Sequence, residues 1–95
     1  MDDADAAYAA GNSPEEVAAL KIGADQGHVD AQLALGFMYH NGQGVPQDYK
    51  QAVAWWRKAA DQGVINAQFN LGLMYDNGRG VPQDYKQAVA WYRKA

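Results

Sequence analysis

Residues 31–59 and 67–95 carry nearly the same sequence 36 positions apart, AQLALGFMYHNGQGVPQDYKQAVAWWRKA and AQFNLGLMYDNGRGVPQDYKQAVAWYRKA. A unit repeated at a fixed period of about 20–50 residues cannot bury its apolar face alone and does so by stacking on copies of itself. The period therefore predicts a short solenoid, whose function lies on a surface and not in a closed catalytic cleft.

The 95 residues make one domain, and 48% of them are apolar, including three Trp and six Tyr. Ala is abundant while Ile and Val are few, a profile of packed helices rather than strands. The expected class is all-α, a stack of antiparallel helix pairs over residues 1–95. A formal charge of −3 argues against nucleic acid, whose binders carry a basic excess. The chain has no Cys, which excludes disulfides and thiolate metal sites. No apolar run reaches the roughly 18 residues of a membrane span, and Met-Asp-Asp does not open a signal peptide.

Ser13-Pro14-Glu15-Glu16 reads as a helix start, with Ser13 as cap, Pro14 at the first helical position and Glu16 completing a capping box. Val17, Leu20 and Ala24 share one face of that helix, which ends before Gly27. A helix from about Ala31 to His40 stops at Asn41-Gly42, where Gly supplies a left-handed cap. Gly44-Val45-Pro46 turns the chain into a helix with Asp48 in its first turn, running to about Gln62 before Gly63. From Ala67 the pattern repeats. Asp25-Gln26-Gly27 matches Asp61-Gln62-Gly63 at the same offset, so residues 1–30 read as a degenerate first unit, with 31–66 and 67–95 as its better copies and the last truncated. Residues 2–12, DDADAAYAAGN, then stand for a worn first helix, Tyr8 and Gly11 aligning with Tyr39 and Gly42 across a turn five residues shorter.

On a wheel of about 100° per residue, Tyr49, Ala52, Val53, Trp56, Ala59 and Ala60 form a core arc with Trp55 at its edge. Lys50, Gln51, Ala54, Arg57, Lys58 and Asp61 form a wet opposite face. The preceding helix is apolar nearly all round, as expected of a helix packed between neighbours. Gly36 and Gly72 fall in mid-helix at a cost near 1 kcal/mol each, tolerable where another helix approaches closely.

The pattern A-x-x-x-L-G-x-x-Y-x-x-G-x-G-V-x-x-D-x-x-x-A-x-x-W-x-x-K-A-A-x-Q-G runs through Ala31, Leu35, Gly36, Tyr39, Gly42, Gly44, Val45, Asp48, Ala52, Trp55, Lys58, Ala59, Ala60, Gln62 and Gly63. It resembles the Sel-1-like repeat family, which is similar to tetratricopeptide repeats. The resemblance implies an α/α solenoid acting as a protein- or peptide-binding adaptor or scaffold, without enzymatic activity or cofactor. It also points to a bacterial protein, periplasmic or secreted.

The residues themselves offer little chemistry. With one Ser, no Thr, no Cys and two His, a nucleophile and base would require Ser13, which capping already explains. His28 and His40 lack ligand spacing, and their counterparts in the next copy are Val64 and Asp76, so both read as solvent-exposed. The two G-x-G turns follow helices and lack the third Gly of a phosphate fingerprint. In Trp55-Trp56-Arg57-Lys58 the aromatics point inward and the cations outward, unlike a base-stacking platform.

Within the first helix the copies differ on one face. Asp30, Leu33, Ala34, Phe37 and His40 become Asn66, Phe69, Asn70, Leu73 and Asp76, all within one arc of about 120°. A face that alone diverges is either a ligand surface or a contact with unlike neighbours. The family resemblance favours the first, because these positions correspond to the concave groove of tetratricopeptide repeats. These ten residues are the candidate partner-binding set, and the partner is a protein or peptide, with no nucleic acid and no membrane insertion. The alternative is a structural segment of a longer array with no binding activity of its own. The C-terminal end, where no helix follows to cover Trp91 and Tyr92, is expected to self-associate.

Overall fold

The computed structural model describes residues 13–95; the expected worn helix of residues 2–12 lies outside the described residues. Among the described residues there are five helices and no strand: α1 (Pro14–Asp25), α2 (Val29–Asn41), α3 (Tyr49–Asp61), α4 (Ile65–Asn77) and α5 (Tyr85–Lys94). Each packs chiefly on its sequence neighbours, so the stack grows in one direction.

Local chemistry sets the boundaries. Ser13 Oγ accepts from the Glu16 amide at 3.2 Å, and Pro14 follows at the first helical position. Asp48 is the N-cap of α3 rather than a residue of its first turn: its carboxylate accepts from the amides of Lys50 and Gln51 at 3.0 and 3.2 Å. Such a cap satisfies two of the four amides that every helix start leaves free. Asp84 does the same for α5. The helices α2 and α4 begin two residues earlier than the periodicity predicts, at Val29 and Ile65, with no side chain capping either. They end where predicted, on Gly42 and Gly78 in the left-handed region at φ 70° and 67°.

The turns are held from both sides. The Asp48 amide donates to the Tyr39 carbonyl at 2.9 Å, and Gln47 Nε2 donates to the His40 carbonyl at 2.9 Å. In the next copy Asp84 and Gln83 reach Tyr75 and Asp76 in the same manner.

Two apolar clusters form the core. Val17 and Ala24 of α1 meet Ala31, Leu35 and Met38 of α2, with Leu20 and Trp55 packed alongside. The larger cluster joins Ala52, Val53, Trp56, Ala59 and Ala60 of α3 to Ala67, Leu71 and Met74 of α4. The wheel arc of α3 is thus its buried face. Leu35 and Leu71 are fully enclosed, each worth about 1.5–3 kcal/mol in apolar burial.

A polar line crosses each junction. Gln32 is buried on α2 and donates through Nε2 to the Ala24 carbonyl at the end of α1, at 3.0 Å. Gln68 repeats this 36 residues on, donating to the Ala60 carbonyl at 3.1 Å. Gln62 Nε2 in turn donates to Gln32 Oε1 at 2.9 Å, while the buried Oε1 of Gln68 has no partner. On the surface, Lys21 lies over the ring of Tyr39 and Arg57 over that of Tyr75, where it also donates to the phenol oxygen.

The last helix is less covered than its counterpart. Val53 on α3 is 5% exposed beneath α4, whereas Val89 on α5 is 45% exposed and Tyr85 64%. Trp91 and Tyr92, expected to be the uncovered pair, are half-buried, because α4 already covers their side of α5.

Candidate protein-binding face

The helices α2 and α4 lie on either side of α3, and a cavity of about 220 Å³ opens between them. Phe37, His40 and Asn41 line it from α2, Asn70, Leu73 and Met74 from α4, and Trp56 of α3 completes the wall. Four of the ten residues expected on the binding face, Phe37, His40, Asn70 and Leu73, therefore meet at one place. Phe37 and Leu73 are exposed at its margin.

The other six are distributed differently. Phe69 is exposed one helical turn before Leu73 and lies 5.5 Å, centroid to centroid, from the ring of Tyr92. Asp76 accepts from the Tyr92 hydroxyl at 3.3 Å. Leu33 packs on the larger core cluster, and Ala34 is half-buried. Asp30 and Asn66 are exposed in the first turns of α2 and α4. His28 is exposed as expected, but His40 is half-buried, its ring 5.3 Å from Tyr49 and 5.5 Å from Trp56.

Trp56 and Tyr92 are the residues that the divergence of the first helices did not bring to notice. A Cβ built on Gly36 would overlap the indole of Trp56, and one built on Gly72 would overlap the ring of Tyr92. The glycine in each copy thus makes room for the aromatic of its own unit. Around that aromatic the neighbours change together. In the first copy Phe37 meets Trp56 edge-on at 5.3 Å and His40 lies tilted against it; in the second, Phe69 covers Tyr92 and Asp76 accepts its hydroxyl. Part of the divergence thereby accompanies the exchange of Trp for Tyr at the packing position. The signal was present in the sequence, since position 56 against 92 is the one change between the copies in the second helix.

Electrostatics on this face are mild. Burial, and then the carboxylate of Asp76 beside it, push the phenol of Tyr92 above its ordinary range. No Lys or Arg lines the cavity. Among the described residues no helix is long and apolar enough to cross a membrane.

A family model described as Sel1 repeat matches residues 29–64 and 65–95, most of the chain. The chain belongs to the Sel1 repeat family. Among solved structures it is similar to a protective antigen present in uropathogenic Escherichia coli strains and displaying an SLR fold, at 49% identity and a TM-score of 0.77 over 79% of this chain and 16% of that one. It is also similar to a Sel1 repeat protein from Oxalobacter formigenes, at 45% identity and a TM-score of 0.71 over 73% of this chain and 28% of that one. The chain thus spans less than a third of the length of either. No curated protein matched it. The Sel1 units matched at 29–64 and 65–95 coincide with the helix pairs α2–α3 and α4–α5, and the fold is the helical-repeat solenoid of those structures.

Proposed function

We propose that the face shared by α2 and α4 binds a segment of a partner protein, and that this Sel1 repeat chain works as an adaptor or scaffold without catalysing a reaction. The observation that carries this reading is the exposure of three large apolar side chains, Phe37, Phe69 and Leu73, from helices whose other faces are packed. Single exposed apolar residues are ordinary on any protein, but Phe37 and Leu73 flank one open cavity. Asp30, Asn66 and Asp76 supply the polar margin that typically surrounds the apolar centre of a binding patch. Helical-repeat solenoids commonly use such extended faces for recognition.

The test is capture of binding partners from a lysate by the immobilised chain and by its Phe37→Glu, Leu73→Glu double variant, with circular dichroism melts of both. Loss of specific capture with a melting temperature within a few degrees of the parent supports the reading. Unchanged capture, or unfolding of the variant, overturns it.

A second reading has its own observation. The exposed Val89 and Tyr85 on α5 occupy positions whose counterparts Val53 and Tyr49 pack against the next unit. The chain then acts as a structural piece of a longer array, its binding surface requiring further repeats. Partner capture restored only after repeats are appended distinguishes this reading from the first.

A further inference from the structure

Three buried side-chain polar atoms among the described residues have no hydrogen-bond partner, Trp56 Nε1, Gln68 Oε1 and Asn70 Nδ2. Two of these atoms belong to residues lining the α2–α4 cavity. A buried amide left without a partner costs about 1–3 kcal/mol, and such groups in native proteins call for an explanation. Packing does not supply one for Asn70, since the same position in the preceding copy is Ala34.

Apart from His40 and Asn41, which hydrogen-bond to each other, the remaining wall is apolar, built of the ring of Phe37, the indole of Trp56 and the side chains of Leu73 and Met74. Apolar cavities of about 150 Å³ accept benzene, so 220 Å³ admits a Phe or Leu side chain. The unpartnered donors of the lining residues, the Asn70 amide and the Trp56 indole, are both neutral, and no Lys or Arg lies beside them. That chemistry suits a carbonyl oxygen, whereas a carboxylate would enter an apolar site without a counter-charge.

We propose that this cavity is a subsite for one bulky apolar residue of an extended peptide segment, whose side chain fills the space between Phe37, Trp56 and Leu73 while Asn70, its Nδ2 buried in the free chain, turns to donate a hydrogen bond to that residue's backbone carbonyl. The subsite rests on the reading that the α2–α4 face binds protein. It adds to that reading the identity of the anchor: one Phe- or Leu-sized residue presented by a backbone whose own carbonyl is free.

The full chain, labelled with nitrogen-15, is titrated with the peptides acetyl-Gly-Gly-Xaa-Gly-Gly-amide, where Xaa is Phe, Leu or Ala. The Phe and Leu peptides are expected to shift the indole N–H of Trp56 and the side-chain amide of Asn70, and the Ala peptide to bind at least about tenfold more weakly for want of buried apolar area. Asn70→Ala installs the residue already present at position 34 and retains the helical spectrum. It is expected to weaken the Phe peptide by about tenfold, the loss of one net hydrogen bond. Equal binding of all three peptides, unchanged affinity after Asn70→Ala, or absence of any shift overturns the subsite. Shifts that gather on Phe69 and spare Trp56 and Asn70 overturn it too, while leaving the α2–α4 face a protein-binding surface.

Discussion

The indole of Trp56 lies where the β-carbon of any residue other than glycine at position 36 would stand. Gly36→Ala gains helix propensity of about 1 kcal/mol yet must push a buried ring out of a packed cluster. Overpacking of this kind costs about 1–3 kcal/mol or more, so a net loss of stability is expected in urea unfolding. Gly23→Ala is the control, because a β-carbon there would meet Ala31 and His28 at an ordinary 3.5 Å. It is expected to stabilise by about 0.5–1 kcal/mol. Equal effects at the two positions would refute the close approach of Trp56.

Stability is expected to be sensitive to alkali through Tyr92. Its phenol is pushed above the ordinary value by burial and then by Asp76. The neutral form is thus favoured more in the folded state than in the unfolded chain. The resulting stabilisation is fully present below about pH 10, the unfolded value, and is lost as pH rises toward the folded one. The melting temperature of the parent should fall more steeply above about pH 10 than that of Tyr92→Phe, measured side by side so that the other tyrosines and the lysines cancel.

The glutamine line makes opposite predictions at its two ends. Gln62→Ala leaves Gln32 Oε1 buried without its donor, which should cost about 1–3 kcal/mol. Appending Ala-Asp-Gln-Gly after Ala95 supplies Gln68 Oε1 with the donor that Gln32 already has, and should raise the urea midpoint. The same extension with Ala in place of its Gln should raise it less. Equal gains would place the benefit in helix length alone.

The stripe of Tyr85 and Val89 on α5 should bring copies together. Contiguous exposed apolar surface beyond a few hundred Å² tends to find a partner. Sedimentation over a concentration series is expected to reveal association of the parent and its loss in Val89→Lys. A monomer throughout for the parent would count against it.

Features written in consecutive residues were legible from the sequence. Ser13-Pro14, Asn41-Gly42 and the repeated Pro-Gln-Asp each act within a few residues of chain, so the sequence carries cause and effect side by side. Asp48 was misplaced by one position because a carboxylate serves a helix both as cap and in the first turn. What sequence reasoning missed joins distant helices. Gln32 and Gln68 look like polar interruptions of an apolar helix, yet each carries a side-chain amide to a carbonyl eight residues back. Their identity between copies, beside positions 30, 33 and 34 that change, was the available clue. The coupling of Phe37 and His40 to Trp56, and of Phe69 and Asp76 to Tyr92, needs three dimensions to be seen. Sequence divergence alone cannot separate a face that adapts to its own core from one that adapts to a ligand, although here Phe37 and His40 touch both Trp56 and the open cavity.

The amides of Gln32 and Gln68 also govern what a chain like this can become. Each ties the close of one helix pair to the opening of the next through a single side chain of fixed length, so the step from unit to unit has little freedom to vary. The stack behaves as a screw cut to one pitch. Adding or deleting a whole 36-residue unit moves along the thread and leaves every junction as it was, since each unit is held by its immediate neighbours. An insertion of any other length between Ala24 and Gln32, or between Ala60 and Gln68, is expected to strain the bond that spans it.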